Sequence, residues 1–290
     1  MARPRLTIVT ATTNPQRAEA CLATWGDWPL VIVVNGQPWT PQDAETTTCQ
    51  ARWIVSTPYL GTVGAFKLGT DFVLEHWPGA EIIACLHDDL AIHDPSWGDK
   101  MLRHFDRQPA CGLAGFGGAI GLGSDDLYTS PYDPMHLARR GFRSNMTNAE
   151  QHGARSLLTE RVACLDGFSQ LGRREFWAGY HGDFRDFQPV TERIVPYKWL
   201  SDSPPWTVLA DLGIHHHFYD GMLGCLAARY GWETWYLPIA CTHHGGRTAV
   251  GDAGYQDWAK TQCEGGDHGF WERAHRVGYD HFRDVLPLRV

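Results

Sequence analysis

Gly79–Trp97 reads GAEIIACLHDDLAIHDPSW, and its apolar run stops abruptly at His87-Asp88-Asp89. Ile82, Ile83, Ala84, Cys85 and Leu86 are too few for a helix of ordinary length, are partly β-branched and follow Pro78-Gly79. They predict a strand buried on both faces. In open α/β sheets ligands bind beyond the carboxyl ends of the strands, and two adjacent carboxylates with no lysine or arginine beside them repel one another. A divalent cation relieves that repulsion, although the same acids also read as a turn leading into a helix near Pro95-Ser96-Trp97.

Upstream, Leu6–Val9 predicts a short strand ending in Thr10-Ala11-Thr12-Thr13-Asn14. Pro15 opens a helix with Ala18, Cys21, Leu22 and Trp25 at helical spacing, and Pro29–Val34 predicts a second buried strand closed by Asn35-Gly36. A βαβ unit with a parallel sheet follows. Trp53–Ser56 predicts a third strand. Ala65, Leu68, Phe72 and Val73 predict a helix whose glycine-containing start, Gly61-Thr62-Val63-Gly64, would turn free backbone N–H groups and Lys67 toward an anion. It is not a Walker A loop, since GxxxxGK[ST] is absent.

Downstream, Trp97, Met101, Leu102 and Phe105 mark a helix, and Cys111–Gly118 reads as a glycine-interrupted strand. From Ala119 to about Glu160 the sequence is polar and turn-rich and carries Arg139, Arg140, Arg143 and Arg155. So long a stretch reads as a substrate-facing insertion or lid, its arginines either a solvated face or a grip on phosphates. Val162–Trp177 predicts a strand that turns at Asp166-Gly167 and continues past Arg173-Arg174. A polar-aromatic region with Tyr197, Trp199 and Trp206 comes next. Met222, Leu223, Leu226, Ala227 and Tyr230 share one helix face, with Gly231 at C′ and Asp220 in the first turn, where the dipole favours its ionised form. Trp235–Thr242 predicts a strand, with His243-His244-Gly245-Gly246-Arg247 just beyond its end. His215-His216-His217 reads as a polar loop, because three consecutive side chains do not converge on one ion without distortion. From Ala249 onward, Trp271, His275 and Tyr279 predict one closing helix with no assigned role.

A chain of 290 residues that is 43% apolar can bury a large core, and its length suits one α/β domain. The net charge of −8 argues against wholesale electrostatic binding of nucleic acid. Thirteen tryptophans are many for this length, and indole is a stacking surface for sugars and bases. The eight cysteines show no C-x-x-C spacing and read as reduced core residues rather than a zinc finger. With no apolar leader and no membrane-length stretch, a soluble, cytoplasmic chain is expected.

The order of these signals resembles GT-A-type glycosyltransferases. The likeness is greatest to the large inverting family two, which includes the chitin and cellulose synthases and many bacterial saccharide transferases. It runs over roughly Leu6–Thr248 and consists of ordered motifs rather than long identical stretches. The resemblance implies a single α/β domain built on a mixed, mainly parallel sheet flanked by helices. Residues 1–118 would form the nucleotide-sugar-binding half, 119–248 the acceptor-binding and catalytic half, and 249–290 a C-terminal extension. The family's D-x-D, H-x-D in some branches, falls on His87-Asp88-Asp89. Asp89 would then bind Mn²⁺ or Mg²⁺ bridging the diphosphate, with Asp88 or His87 near the ribose.

The same resemblance makes Asp220 the general base and His243, or else His244, a further metal or diphosphate ligand. Thr10, Thr12 and Asn35 fall where the family holds base and ribose, and Asp166-Gly167 where it faces acceptor and donor sugar. Gly64 and Lys67 fall beside the donor, and Trp199 and Trp206 are the candidate acceptor platforms. The chemistry is coherent in its own right. A cation with Asp89, His243 and Arg247 would offset charge on a leaving diphosphate, while a carboxylate across the anomeric carbon takes the acceptor proton, giving inversion.

The implied donor is a nucleotide sugar, a UDP-sugar above others. The acceptor is a saccharide or glycoconjugate or, alternatively, a hydroxymethylated pyrimidine extruded from DNA. A metal-dependent hydrolase is a further alternative, opposed by the absence of H-E-x-x-H or a comparable helix-borne pair.

Overall fold

A computed structural model of the chain describes residues 5–36, 51–123, 141–147, 154–182, 203–245 and 253–290. Its first elements are β1 (Leu6–Thr12), α1 (Pro15–Leu22), β2 (Leu30–Asn35), β3 (Ala51–Ser56), α2 (Gly61–His76), β4 (Ile82–His87), β5 (Leu90–Ile92), α3 (Trp97–Arg107), β6 (Cys111–Gly115) and β7 (Gly117–Ala119). The next are β8 (Gly121–Leu122), β9 (Phe142–Ser144), β10 (Ala154–Arg155), β11 (Glu160–Arg161), β12 (Cys164–Leu165), β13 (Ser169–Arg173) and α4 (Arg174–Trp177). The last are α5 (Pro205–Asp211), α6 (Tyr219–Arg229), β14 (Glu233–Tyr236), β15 (Cys241–His243), α7 (Ala253–Gln262), α8 (Gly266–His281) and β16 (Leu288–Arg289).

Eight strands form the main sheet in the order β11-β14-β6-β13-β4-β1-β2-β3. β3, β2, β1 and β4 run parallel; β13 runs antiparallel to both β4 and β6; β14 follows β6; and β11 opposes β14. The α/β expectation therefore holds, with a mixed, mainly parallel sheet. The chain lays β2 and β3 on one side of β1 and returns on the other side with β4, which makes the β1/β4 boundary a topological switch point. β4 is buried along its length up to His87, as its apolar run requires. α2 covers β1 and β2 at close range, since a Cβ on Gly69 would lie 2.4 Å from Val9 Cγ1.

Three expected strands are divided, and Cys111–Gly118 parts at Phe116 into β6 of the main sheet and β7 of a smaller one. Trp235–Thr242 breaks at Leu237-Pro238, because proline has no N–H to give a ladder; β14 joins the main sheet and β15 leaves it to pair with β5. Val162–Trp177 does not run past Arg173-Arg174. β12 belongs to a separate sheet, β10-β9-β7-β12, while β13 enters the main sheet and α4 begins at Arg174. The two arginines end the strand by reaching helix C-termini, where carbonyls lack intrahelical partners. Arg173 donates to Phe105 O and Gln108 O at the end of α3 and to Cys111 O at the start of β6, and Arg174 to Leu74 O and Trp77 O at the end of α2.

Within the expected insertion, β9 and β10 take a place in the smaller sheet. Arg143 pairs with Glu160 at 2.9 Å and Arg155 donates to Asn145 Oδ1 at 2.8 Å. Arg139 and Arg140 lie outside the described residues. The seven described cysteines are free thiols, six of them buried. No helix among the described residues is long and apolar enough to cross a membrane.

Candidate functional site

The carboxyl ends of β1 and β4 lie side by side, with Ala11 in register with His87. One residue further on, Thr12 Oγ1 donates to Asp88 Oδ2 at 2.6 Å, so the hydroxyl at the end of β1 fixes the first acid, which is 8% exposed. The second acid is placed by a different strand pair. β5 follows the acids directly and runs antiparallel to β15 with Leu90 opposite His243, while His244 N donates to Asp89 O at 3.1 Å. Register alone thus brings together residues 154 positions apart in the sequence.

The result is a compact donor set. Asp89 Oδ1 lies 3.2 Å from His243 Nε2, which lies 3.3 Å from His87 Nδ1. Among the described residues, His87, Asp89 and His243 are the group close enough to share one ion, all three donor atoms lying within 4.8 Å of one another. Aromatic rings hold the imidazoles: Phe168 stacks on His243 at 4.8 Å and Phe66 lies parallel to His87 at 6.2 Å. Burial, helped by nearby His243, pushes the His87 pKa down to about 4, so this ring is neutral near pH 7. Burial also disfavours charge on His243, but the hydrogen bond and charge of Asp89 outweigh it and raise that pKa above the ordinary value.

These residues line a cleft whose other wall is the loop that enters α6. His216 Nδ1 meets Thr62 Oγ1 at 2.7 Å, and burial takes its pKa down to about 3. His217 Nε2 lies 2.6 Å from Asp267 Oδ1, and Tyr255 Oη donates to the same oxygen at 2.5 Å. Burial opposes ionisation of Asp267, yet these two hydrogen bonds hold its pKa below the ordinary carboxylate value. At the head of α6, Phe218 is left-handed with φ 59°, a rare state for a bulky residue. It is held there between α6 and α8, with His275 stacked at 4.2 Å and Tyr279 at 5.7 Å. Helices α7 and α8 therefore brace the cleft wall.

The sequence-predicted residues divide between cleft and support. Thr12, Asn35, His87, Asp88, Asp89 and His243 line the cleft. Asn35 also clamps the start of α2, accepting from Leu60 N at 2.8 Å and donating to Gly61 O at 3.2 Å. Thr10 is buried and donates to Leu86 O at 2.8 Å, inside the sheet. Gly64 and Lys67 lie on α2 away from the cleft lining, with Lys67 Nζ 2.5 Å from Asp71. His244 is exposed and outside the ion-sharing group.

Asp220 sits in the first turn of α6, where its Oδ1 accepts from Gly221 N at 2.8 Å. A Cβ on Gly167 would meet Tyr219 Oη at 2.4 Å and Asp220 Oδ2 at 3.4 Å, so these residues form one junction. Asp166 adjoins it and its charge bears on His87, His243 and Tyr219. Trp206 is not an open platform: it is 1% exposed and stacked between Trp177 and Phe66 at 5.2 and 5.5 Å. Trp199 and Arg247 lie outside the described residues. Sequence reasoning missed Tyr59, Phe66, His216 and His217 as cleft residues, and Tyr219 behind them, whereas Thr62 belongs to the helix start read as facing an anion and does line the cleft. The triple histidine was the visible signal for two of these.

No family profile matches the chain, and no curated protein matches it by sequence. Solved structures do match. The crystal structure of A197 from STIV aligns with 8% identity and a TM-score of 0.38, over 81% of this chain and 82% of that one. GalNAc-T7 with UDP, GalNAc and Mn²⁺ aligns with 9% identity and a TM-score of 0.48, over 98% of this chain and 52% of that one. A 4-diphosphocytidyl-2C-methyl-D-erythritol synthase aligns with 9% identity and a TM-score of 0.32, over 42% of this chain and 64% of that one.

Proposed function

We propose that this chain is a metal-dependent, inverting glycosyltransferase of the GT-A type, moving a sugar from a nucleotide-sugar donor, a UDP-sugar above others, to an acceptor hydroxyl. The observation that carries the reading is the convergence of His87, Asp89 and His243 at the switch point of a mainly parallel sheet, beside the strand-end groups of Thr12, Asn35 and Asp88.

The donor set fits a cation. Neighbouring donors around an ion with bonds of about 2.1 Å stand about 3 Å apart, which is the spacing of His243 Nε2 from Asp89 Oδ1 and His87 Nδ1. Two imidazoles in the set favour Mn²⁺ over Mg²⁺, whose preference is for oxygen. Bound there, the cation would offset the negative charge that develops on a leaving diphosphate. The chain's own residues do the rest. Thr12, Asn35 and Asp88 offer hydrogen bonds to the nucleoside at the strand ends. Asp220, in the first turn of α6, takes the proton of the attacking hydroxyl. His217, fixed by Asp267, stands on the wall opposite the metal ligands.

A saccharide acceptor is favoured over a hydroxymethylated base in DNA. The net charge is −8, and Arg143 and Arg155 are engaged by Glu160 and Asn145. The test is a panel of nucleotide sugars with Mn²⁺, scored first for slow donor hydrolysis and then with saccharide and hydroxymethylated-DNA acceptors. Turnover of one donor class, lowered by Asp220→Asn on the order of 10²–10⁴-fold in kcat while Mn²⁺ binding is kept, supports the reading. Unchanged turnover in Asp220→Asn removes that residue from the mechanism. Tight binding of Zn²⁺ or Fe²⁺ with no further stabilisation by UDP would point instead to a hydrolase or oxygenase.

A further inference from the structure

The His87 imidazole has a second contact on the side away from the ion-sharing group. Its Nε2 lies 2.7 Å from Tyr219 Oη, and Tyr219 Oη donates to the carbonyl of Gly167 at 3.1 Å. A phenol has one proton. Since it is committed to Gly167 O, the hydrogen between Tyr219 and His87 belongs to His87 Nε2. In a neutral ring that leaves Nδ1 with its lone pair, and Nδ1 is the atom that faces His243 at 3.3 Å. The relay runs from a backbone carbonyl through a phenol to an imidazole, and its output is a nitrogen ready to bind a cation.

The surroundings admit little else. A Cβ at position 167 would lie 2.4 Å from Tyr219 Oη, so only glycine leaves room for the hydroxyl to reach that carbonyl. Tyr219 is 5% exposed, its ring set beside Trp206 at 5.8 Å, and the left-handed Phe218 directly before it fixes the angle at which it enters the site. Outer partners of this kind orient a ligating histidine and set its tautomer.

Resting on the proposed metal site, we infer that Tyr219 is a positioning residue for that site: by accepting from His87 Nε2 it selects the tautomer in which His87 Nδ1 ligates the cation. Because Asp220 follows it directly, one turn of chain sets both a metal ligand and the proposed base.

The experiment is Mn²⁺ titration of the full chain, read by the electron-paramagnetic-resonance signal of free Mn²⁺, in wild type, Tyr219→Phe and Trp206→Phe. Tyr219→Phe removes one oxygen and is expected to weaken Mn²⁺ binding about 10–100-fold. Trp206→Phe, which alters packing on the same ring, should lower Tm and leave the Mn²⁺ affinity within about twofold. Equal affinity in wild type and Tyr219→Phe would overturn the inference and leave the metal reading intact. Absence of binding in wild type would overturn the metal reading itself. Nitrogen-15 correlation spectra of the metal-free wild type provide a check that needs no variant: His87 should carry its proton on Nε2, and a proton on Nδ1 would contradict the relay.

Discussion

The two walls of the cleft are built in different ways. On one, Thr12, His87, Asp88, Asp89 and His243 are placed by strand register: β1 against β4, and β5 against β15. On the other, His216 and His217 lie on a loop tied to α2 by one backbone hydrogen bond, Val63 N to His215 O at 3.1 Å, and otherwise by side chains, through Thr62, Asp267 and Tyr255, while α8 packs on Phe218 at its end. A wall set by backbone ladders moves only if the sheet does. A wall set by a few side-chain contacts can be loosened by single substitutions that leave the fold standing. The first wall is therefore expected to decide whether a cation is held, and the second how well a substrate is oriented against it.

Breaking the first wall has the largest expected effect. Asp89→Ala or His243→Ala should abolish measurable Mn²⁺ binding and lower kcat/KM on the order of 10³-fold or more, followed by donor turnover. Activity near wild type in either would dissolve the distinction between the walls. Breaking the second is milder. Asp267→Asn removes the charge that fixes His217 and should cost about tenfold in kcat/KM at unchanged Mn²⁺ affinity. A loss of metal affinity equal to that of Asp89→Ala would mean that the walls act as one unit.

Phe218 sharpens the contrast. Phe218→Gly keeps the left-handed turn and loses the ring stack, whereas Phe218→Val must strain to reach that φ. Urea unfolding should place the valine variant below the glycine variant by about 1–2 kcal/mol.

A pH dependence draws on both walls. His87 and His216 titrate near 4 and 3 in the folded chain, both lowered chiefly by burial. In the unfolded chain both take a proton near the ordinary histidine value of about 6.5. Between that value and about 4 the unfolded state binds more protons, so stability rises with pH across the window and is lost as pH falls through it. The urea midpoint should be lower at pH 5 than at pH 7, and His216→Gln should flatten the difference.

The positions of the wall made by register were legible in the sequence, because they stand where apolar runs end, although the sequence reading set His87 near the ribose and not beside Asp89 and His243 in one donor set. His87-Asp88-Asp89 closes one strand, and His243 ends a short strand seated beside it. The break at Pro238 was also available, since a ladder tolerates proline poorly, but the run from Trp235 to Thr242 is continuous enough in β-forming residues to mask it. The second wall was not legible. Asp267 meets His217 across 50 residues, His275 stacks on Phe218 across 57, and neither pairing leaves a periodic trace in the chain. Trp206 misled in the opposite sense, because indole serves equally as a sugar platform and as core, and only its contacts with Trp177 and Phe66 decide for core. Tyr219 is visible in the sequence only as part of the His217-Phe218-Tyr219-Asp220 helix start; its role appears once Gly167 and His87 are seen on either side of its hydroxyl.

The central claim, that strand ends far apart in sequence converge on one cation, is tested most directly by pulsed electron-paramagnetic-resonance spectroscopy of the chain loaded with Mn²⁺. The expected result is one bound Mn²⁺ per chain with couplings to two imidazole nitrogens, and no bound-ion spectrum in His243→Ala. A bound ion with no imidazole coupling, or an unchanged spectrum in that variant, would contradict it.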